Sequence, residues 1–313
     1  MRVKLTSMFF AAAMLPATLW AAPAPSQQCP DKGAYVQVLG AGGPELTTGL
    51  ASTSYLIWQD GKARVLIDAG AGTAMNFKQA GAQMADLDAI LISHMHVDHV
   101  ADLISLLKAS YFDGREVPLP IYGPTGNQLT PGMTDYMQRL LGLEGLYPYL
   151  NNFLAEAPDP SFSKASYRWV PRDIQPSETP TSFALGDLRF ASADAKHGGV
   201  PALAWSVTLE DKTLFVTGDS SGPGYLKAMA DEADIIIAHN ALPQSYSGPV
   251  ERLHMKPDAI ATIVGQSKAS TLVLSHFLDR TATSSVQQET QVVLAASFKD
   301  EIAFAQDFDC YPL

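Results

Sequence analysis

The chain has 313 residues, 47% of them hydrophobic and 17% charged, with 23 glycines and 21 prolines. This composition excludes a disordered or fibrous polypeptide and is sufficient for one substantial core crossed by many short loops. The net charge of −11 repels long polyanions and no block of Lys or Arg offsets it, so nucleic acid is not expected as a partner.

The chain opens with Arg2 and Lys4, an apolar run from Met8 to Leu19, and small residues at Ala21, Ala22 and Ala24. This is the layout of a signal peptide spanning residues 1–22, with cleavage near Ala21 or Ala22. The apolar run is shorter than the ~20 residues a spanning helix needs. The mature protein is therefore expected in the periplasm or secreted, with no membrane anchor. Removing residues 1–22 takes Arg2 and Lys4 and no acid, so −11 becomes −13. The two cysteines, Cys29 and Cys310, sit near the two ends of the mature chain. In an oxidising compartment such a pair suggests a disulfide clasp, two unrelated buried thiols being the alternative.

Residues 23–313 read as a single domain. Strands are expected at 34–40, 53–58, 63–70 and 88–93, with helices at 73–83 and 99–112. Residues 113–175 form an aromatic-rich insertion, read as a strand, a turn and one or two helices. Its aromatics Tyr122, Tyr147, Tyr149 and Phe153, with Tyr111 and Phe112 just before it, fit plain core better than a pocket. Strands resume at 188–194, 202–209, 212–219, 233–240 and 270–277, with helices at 257–268 and 285–297. Two mixed β-sheets flanked by helices, an αββα sandwich of the α/β class, fit this order.

The strands repeatedly end in acids or histidines: Asp68, His94, Asp194, Asp219, His239 and His276. Polar groups at strand ends on one rim are where a site is expected. Of seven histidines, three fall within ISHMHVDHVADL (92–103). On an extended segment His94 and His96 point to one side, while Asp98 and His99 sit where the chain turns into a helix. One such cluster supports two adjacent metal positions. Imidazole and carboxylate suit Zn2+, and also Mn2+ or Fe.

SHMHVDH resembles the H-x-H-x-D-H signature of the metallo-β-lactamase superfamily. LIDAG before it, His197 in AKHGG, Asp219 in VTGDS and His276 in VLSHF follow in that superfamily's order, over roughly residues 34–305. The resemblance implies two Zn2+ ions, one held by His94, His96 and His197 and the other by Asp98, His99 and His276. Asp219 would bridge them, Asp68 would accept an imidazole N–H, and a hydroxide shared by the metals would be the nucleophile. True metallo-β-lactamases generally lack an aspartate at the position of Asp219. VLGAGGPE, PLPIYGPTG and RLHMKPDAIATIV are instead similar to the ribonuclease Z-like group, which includes exported arylsulfatases and cyclic-nucleotide phosphodiesterases. His254 then falls where that group places a histidine that protonates the leaving oxygen. The chain departs from the group at His239-Asn240, where a glutamate normally orients the catalytic histidine, and it lacks the basic arm that grips tRNA. Structural substitute, substrate contact and simple strand end all stay open for His239.

The expected activity is hydrolysis of a small anionic ester, of the arylsulfatase or phosphodiesterase type, with Asp98 and His254 as the catalytic pair. Arg280 is a candidate anion contact, a surface ion pair being the alternative, and Lys196 and Lys256 are weaker versions of it. Competing readings are a lactonase or β-lactamase-like enzyme acting on a carbonyl, a ribonuclease Z-like nuclease, and a non-catalytic metal-binding module. Sequence leaves the oligomeric state open, a dimer included.

Overall fold

In the computed structural model, residues 29–30, 32–154 and 167–313 are described; the expected leader and its cleavage site lie outside them. The N-terminal half forms β1 (Ala34–Gly40), β2 (Ser54–Gln59), β3 (Lys62–Ile67), α1 (Thr73–Gln79), β4 (Ala89–Leu91), α2 (Val97–Val100), α3 (Leu103–Ser110), β5 (Leu119–Pro124), α4 (Met133–Leu141) and β6 (Trp169–Ile174). The C-terminal half forms β7 (Thr181–Leu185), β8 (Leu188–Asp194), β9 (Leu203–Leu209), β10 (Lys212–Val216), α5 (Leu226–Asp231), β11 (Ile235–His239), α6 (Pro257–Val264), β12 (Thr271–Ser275), α7 (Ser284–Ala295), β13 (Glu301–Phe304) and β14 (Cys310–Pro312).

The strands make two seven-stranded sheets, ordered β14-β1-β2-β3-β4-β5-β6 and β13-β12-β11-β10-β9-β8-β7. Within each, an antiparallel portion passes into a parallel one, β3 to β6 in the first sheet and β10 to β13 in the second. Both sheets are therefore mixed, as expected. Side-chain alternation explains the layering. From β2, Tyr55 and Ile57 join the cluster shared with Phe190, Trp205 and Phe215 of the opposing sheet. Leu56 and Trp58 point the other way, into the cluster containing Phe77, Leu103 and Leu106 of α1 and α3. Burying each such large apolar side chain contributes about 1.5–3 kcal/mol.

Direct hydrogen bonds tie the sheets beside the histidine cluster. Leu203 N–H donates to Ser93 O at 2.8 Å, and Trp205 Nε1–H donates to Ile92 O at 3.2 Å. The chain entering the cluster is thus fixed from the opposite sheet.

Sequence pattern did not announce β6, β7, β13, β14 or α5. Four of these are the outermost strands of their sheets, and short, partly exposed strands carry little apolar alternation. Both β5 and β6 come from the aromatic-rich stretch 113–175 and complete one edge of the first sheet. Phe153 is buried there, whereas Tyr111, Phe112 and Tyr149 are exposed and surround Lys108 Nζ at 4.8, 5.3 and 5.4 Å from their ring centroids. Those three are neither core nor site.

Cys29 and Cys310 form a disulfide, with Cα atoms 5.3 Å apart. It anchors β14, whose residues pair antiparallel with β1. Because the bond closes nearly the whole chain into a loop, replacing both cysteines by serine should lower the unfolding free energy by about 2–5 kcal/mol. Urea unfolding of the paired variant checks this, and an unchanged midpoint would show that the clasp adds nothing to stability.

Candidate metal centre

Parallel strands of both sheets end at one rim, and the polar residues that follow them meet there. Asp68 follows β3 with φ 58°, a left-handed conformation uncommon outside glycine. Its Oδ1 accepts Ser93 N–H at 2.7 Å, while Oδ2 lies 2.8 Å from Ser93 Oγ and 2.8 Å from His99 Nδ1. The carboxylate therefore keeps the His99 proton on Nδ1 and leaves Nε2 facing inward.

His276, after β12, repeats the device with φ 59°. Thr53 Oγ1 donates to Gly42 O at 3.1 Å and so can only accept from His276 Nδ1–H, at 2.7 Å. A third inward nitrogen is that of His197, whose Nδ1–H donates to Leu253 O at 2.8 Å. His96 precedes α2 in extended conformation, and Asp98 and His99 lie within the helix, so one short turn aims side chains at two points. Gly43 presses against His276; a Cβ there would lie 3.0 Å from His276 Nε2.

Ligand atoms of His94, His96, His197 and Asp219 lie within 4.8 Å of one another, and so do those of Asp98, His99 and His276. Asp219 stands between the groups. Its Oδ2 is 3.8 Å from His94 Nε2, 3.8 Å from His197 Nε2 and 3.6 Å from His99 Nε2, and its Oδ1 is 3.4 Å from His276 Nε2. Donors about 2.0–2.2 Å from a tetrahedral ion stand about 3.3–3.6 Å apart, and the 3.4–3.8 Å spacing around Asp219 lies at or just beyond that range. Nε2 of His94, His99 and His276 are buried with no hydrogen-bond partner. An unpaired buried polar atom costs about 1–3 kcal/mol, and a divalent cation among these nitrogens would remove that cost. The residues fit a metal, and a solvated turn is excluded by the burial of His94, Asp98 and His99.

Protonation favours the same reading. Burial pushes His94 well below its usual pKa, helped by neighbouring His99, and burial likewise lowers His96 and His197. His276 is pushed down to about 3, again by burial, against the opposing pull of Asp219. These rings are neutral at neutral pH and offer lone pairs. Burial opposes charge on Asp219 as well, but His276 and His99 outweigh it and hold the carboxyl well below the usual range. Asp98 is held low in the same way, by His99 and His276 against burial. His99 is the exception: desolvation is overcome by Asp98, Asp68 and Asp219, and its pKa rises.

His254 joins the centre, with Nδ1 3.8 Å from Asp219 Oδ2 and its ring 5.3 Å from His197 and 5.6 Å from His276. That Nδ1 is also buried and unpartnered. The three nominated cations are instead paired with acids: Lys196 with Glu178 at 3.1 Å, Lys256 with Glu251 at 3.3 Å, and Arg280 with Glu45 at 3.7 Å. Sequence reasoning left His239 without a role, yet its Nδ1 lies 2.7 Å from Asp219 Oδ1. The available signal was its position at the end of a buried strand, shared with Asp68 and His276.

Comparison with known proteins places these features. Residues 63–277 match the beta-lactamase superfamily domain. A ribonuclease Z of Mycobacterium sp. (strain KMS) is 26% identical over 286 residues, covering 87% of this chain and 93% of that protein. The metallo-beta-lactamase fold protein YhfI from Bacillus subtilis superposes with TM-score 0.68 at 20% identity, over 89% of this chain and 98% of that one. Human tRNase Z, short form, gives TM-score 0.66 at 21% identity, over 88% and 98% of the two chains.

The metal-free protein should lose stability as pH falls from about 6.5 towards 3. A histidine depressed by folding, such as His276 at about 3, contributes above its unfolded pKa of about 6.5 and loses that contribution as pH falls through the folded value. Urea unfolding of chelated protein at several pH values tests the sign, and stability rising towards acid would contradict it.

Proposed function

The chain belongs to the beta-lactamase superfamily, and on that premise we propose that it is an exported di-zinc hydrolase of small anionic esters, acting at phosphorus or sulfur. The observation that carries this reading is the position of Asp219 between two complete donor groups. His94, His96 and His197 would hold one ion and Asp98, His99 and His276 the other, with Asp219 shared. When bound, such ions polarise an ester oxygen and bring the pKa of a water to about 7. Export agrees with the Cys29–Cys310 disulfide, a bond suited to an oxidising compartment.

The surrounding residues suggest the kind of ester. Val97, between two donors, and Leu129, against Gly199, are each 70% exposed. With Lys196, Lys256 and Arg280 each neutralised by an acid, these side chains favour an apolar organic arm over a long polyanion. Asp98, kept ionised, accepts a hydrogen bond from the attacking water or hydroxide and orients it. His254 stands beside Asp219 on the open side of the centre and supplies a proton to the leaving oxygen. Burial lowers its pKa, so the ring is neutral in the free protein and takes up its proton beside the bound anionic ester.

A second reading, a nuclease, is favoured by the ribonuclease Z relatives. Its signature would be turnover of single-stranded RNA that falls steeply with salt.

A side-by-side assay of p-nitrophenyl sulfate, bis-nitrophenyl phosphate, cyclic AMP, nitrocefin and RNA separates these readings. The expected outcome is chelator-sensitive turnover of a sulfate or phosphate ester with nitrocefin intact; turnover confined to nitrocefin would overturn the proposal. His254→Ala should slow esters with poor leaving groups by about 100-fold or more, and nitrophenyl esters far less. Equal losses on both would remove His254 from the acid role.

A further inference from the structure

The proposed function does not use His239, yet its side chain is buried and bonded at both ring nitrogens. It ends β11, in register with Ser275 on β12. Nδ1 lies 2.7 Å from Asp219 Oδ1 and Nε2 lies 2.9 Å from Tyr55 Oη. Tyr55, fully buried on β2 of the other sheet, also lies 3.0 Å from Ser275 Oγ. The His239 backbone N–H donates to Thr217 Oγ1 at 3.1 Å, and the ring stacks on His276 with centroids 4.8 Å apart and planes 5° apart. Both ring nitrogens and one ring face are engaged, so its orientation is fixed from both sheets.

Two roles are open to that Nδ1. Asp219, His239 and His276 lie close enough together to form a third donor group, in which His239 would itself be a ligand. The contact with Asp219 decides against this. An imidazole lone pair facing a carboxylate lone pair at 2.7 Å is repulsive, so a proton lies between them and Nδ1 is a donor. Asp219 then has one oxygen, Oδ1, tied to His239 and close to His276, while Oδ2 faces His94, His99 and His197.

We propose that His239, braced by Tyr55, is the positioning residue that holds Asp219 in its bridging orientation, so that one carboxylate can serve both donor groups. This rests on the reading of Asp219 as the shared ligand. Without the Nδ1–H bond the carboxylate is free to rotate, and the placement of Oδ2 facing nitrogens of both donor groups is lost even though every ligand residue remains. Outer hydrogen bonds of this kind typically change metal affinity 10–100-fold.

The test compares His239→Leu, which removes the donor, with His239→Asn, whose amide N–H can stand near the position of Nδ1–H, and with Tyr55→Phe. Zinc affinity is measured by competition with a chromophoric chelator, and site geometry by the visible spectrum of the cobalt-substituted proteins. Circular dichroism of the metal-free forms controls for folding. His239→Leu should weaken retention of zinc 10–100-fold and alter the cobalt spectrum, His239→Asn should restore most of both, and Tyr55→Phe should fall between. Unchanged affinity and spectrum in His239→Leu would overturn the proposal, as would equal impairment in the Leu and Asn variants. Wild-type protein that binds no zinc would instead overturn the metal reading beneath it.

Discussion

A single buried carboxylate, Asp219, organises the rim where the two sheets meet. It lies within 4 Å of nitrogens from His94, His99, His197, His239, His254 and His276, which come from widely separated parts of the chain. Removing an anion from water is costly, and here the neighbouring histidines, His276 and His99 first, outweigh that cost. Neutral rings with inward lone pairs around a buried carboxylate make a preorganised receptor for positive charge. The protein has already met the cost of assembling it through apolar packing beneath.

That packing explains why the donors converge. Each sheet turns its parallel portion towards the same rim, so residues following β3, β10, β11 and β12 emerge close together. The outer hydrogen bonds then select tautomers: Asp68 for His99, Thr53 for His276 and the Leu253 carbonyl for His197. Asp68 and His276 both hold left-handed backbone conformations, a local cost concentrated at the centre. The fold supplies position and the second layer supplies direction.

Much of this was legible in the sequence, for identifiable reasons. Apolar strands ending in Asp68, His94, Asp219 and His276 carry both the periodicity that marks a strand and the residue that marks a site. The edge strands β7 and β13 lack the first signal because they are exposed or half-buried along their length and apolar alternation is not enforced, and β14, with only three residues, is too short to show any. His239 lacked the second: a lone histidine ending an apolar strand has the same local pattern whether it caps, ligates or braces. Only its distance to Asp219 and its contact with Tyr55 from the other sheet distinguish these roles. Arg280 shows the opposite limit, since its nearness in sequence to His276 said nothing of Glu45, which pairs with it across the fold.

The central claim is a two-metal centre bridged by Asp219, and a crystal structure of zinc-loaded protein with data collected across the zinc absorption edge tests it most directly. Two anomalous peaks are expected, one among His94, His96 and His197 and one among Asp98, His99 and His276, with an Asp219 oxygen at each. A single peak, or two peaks with Asp219 turned away from either, would contradict it.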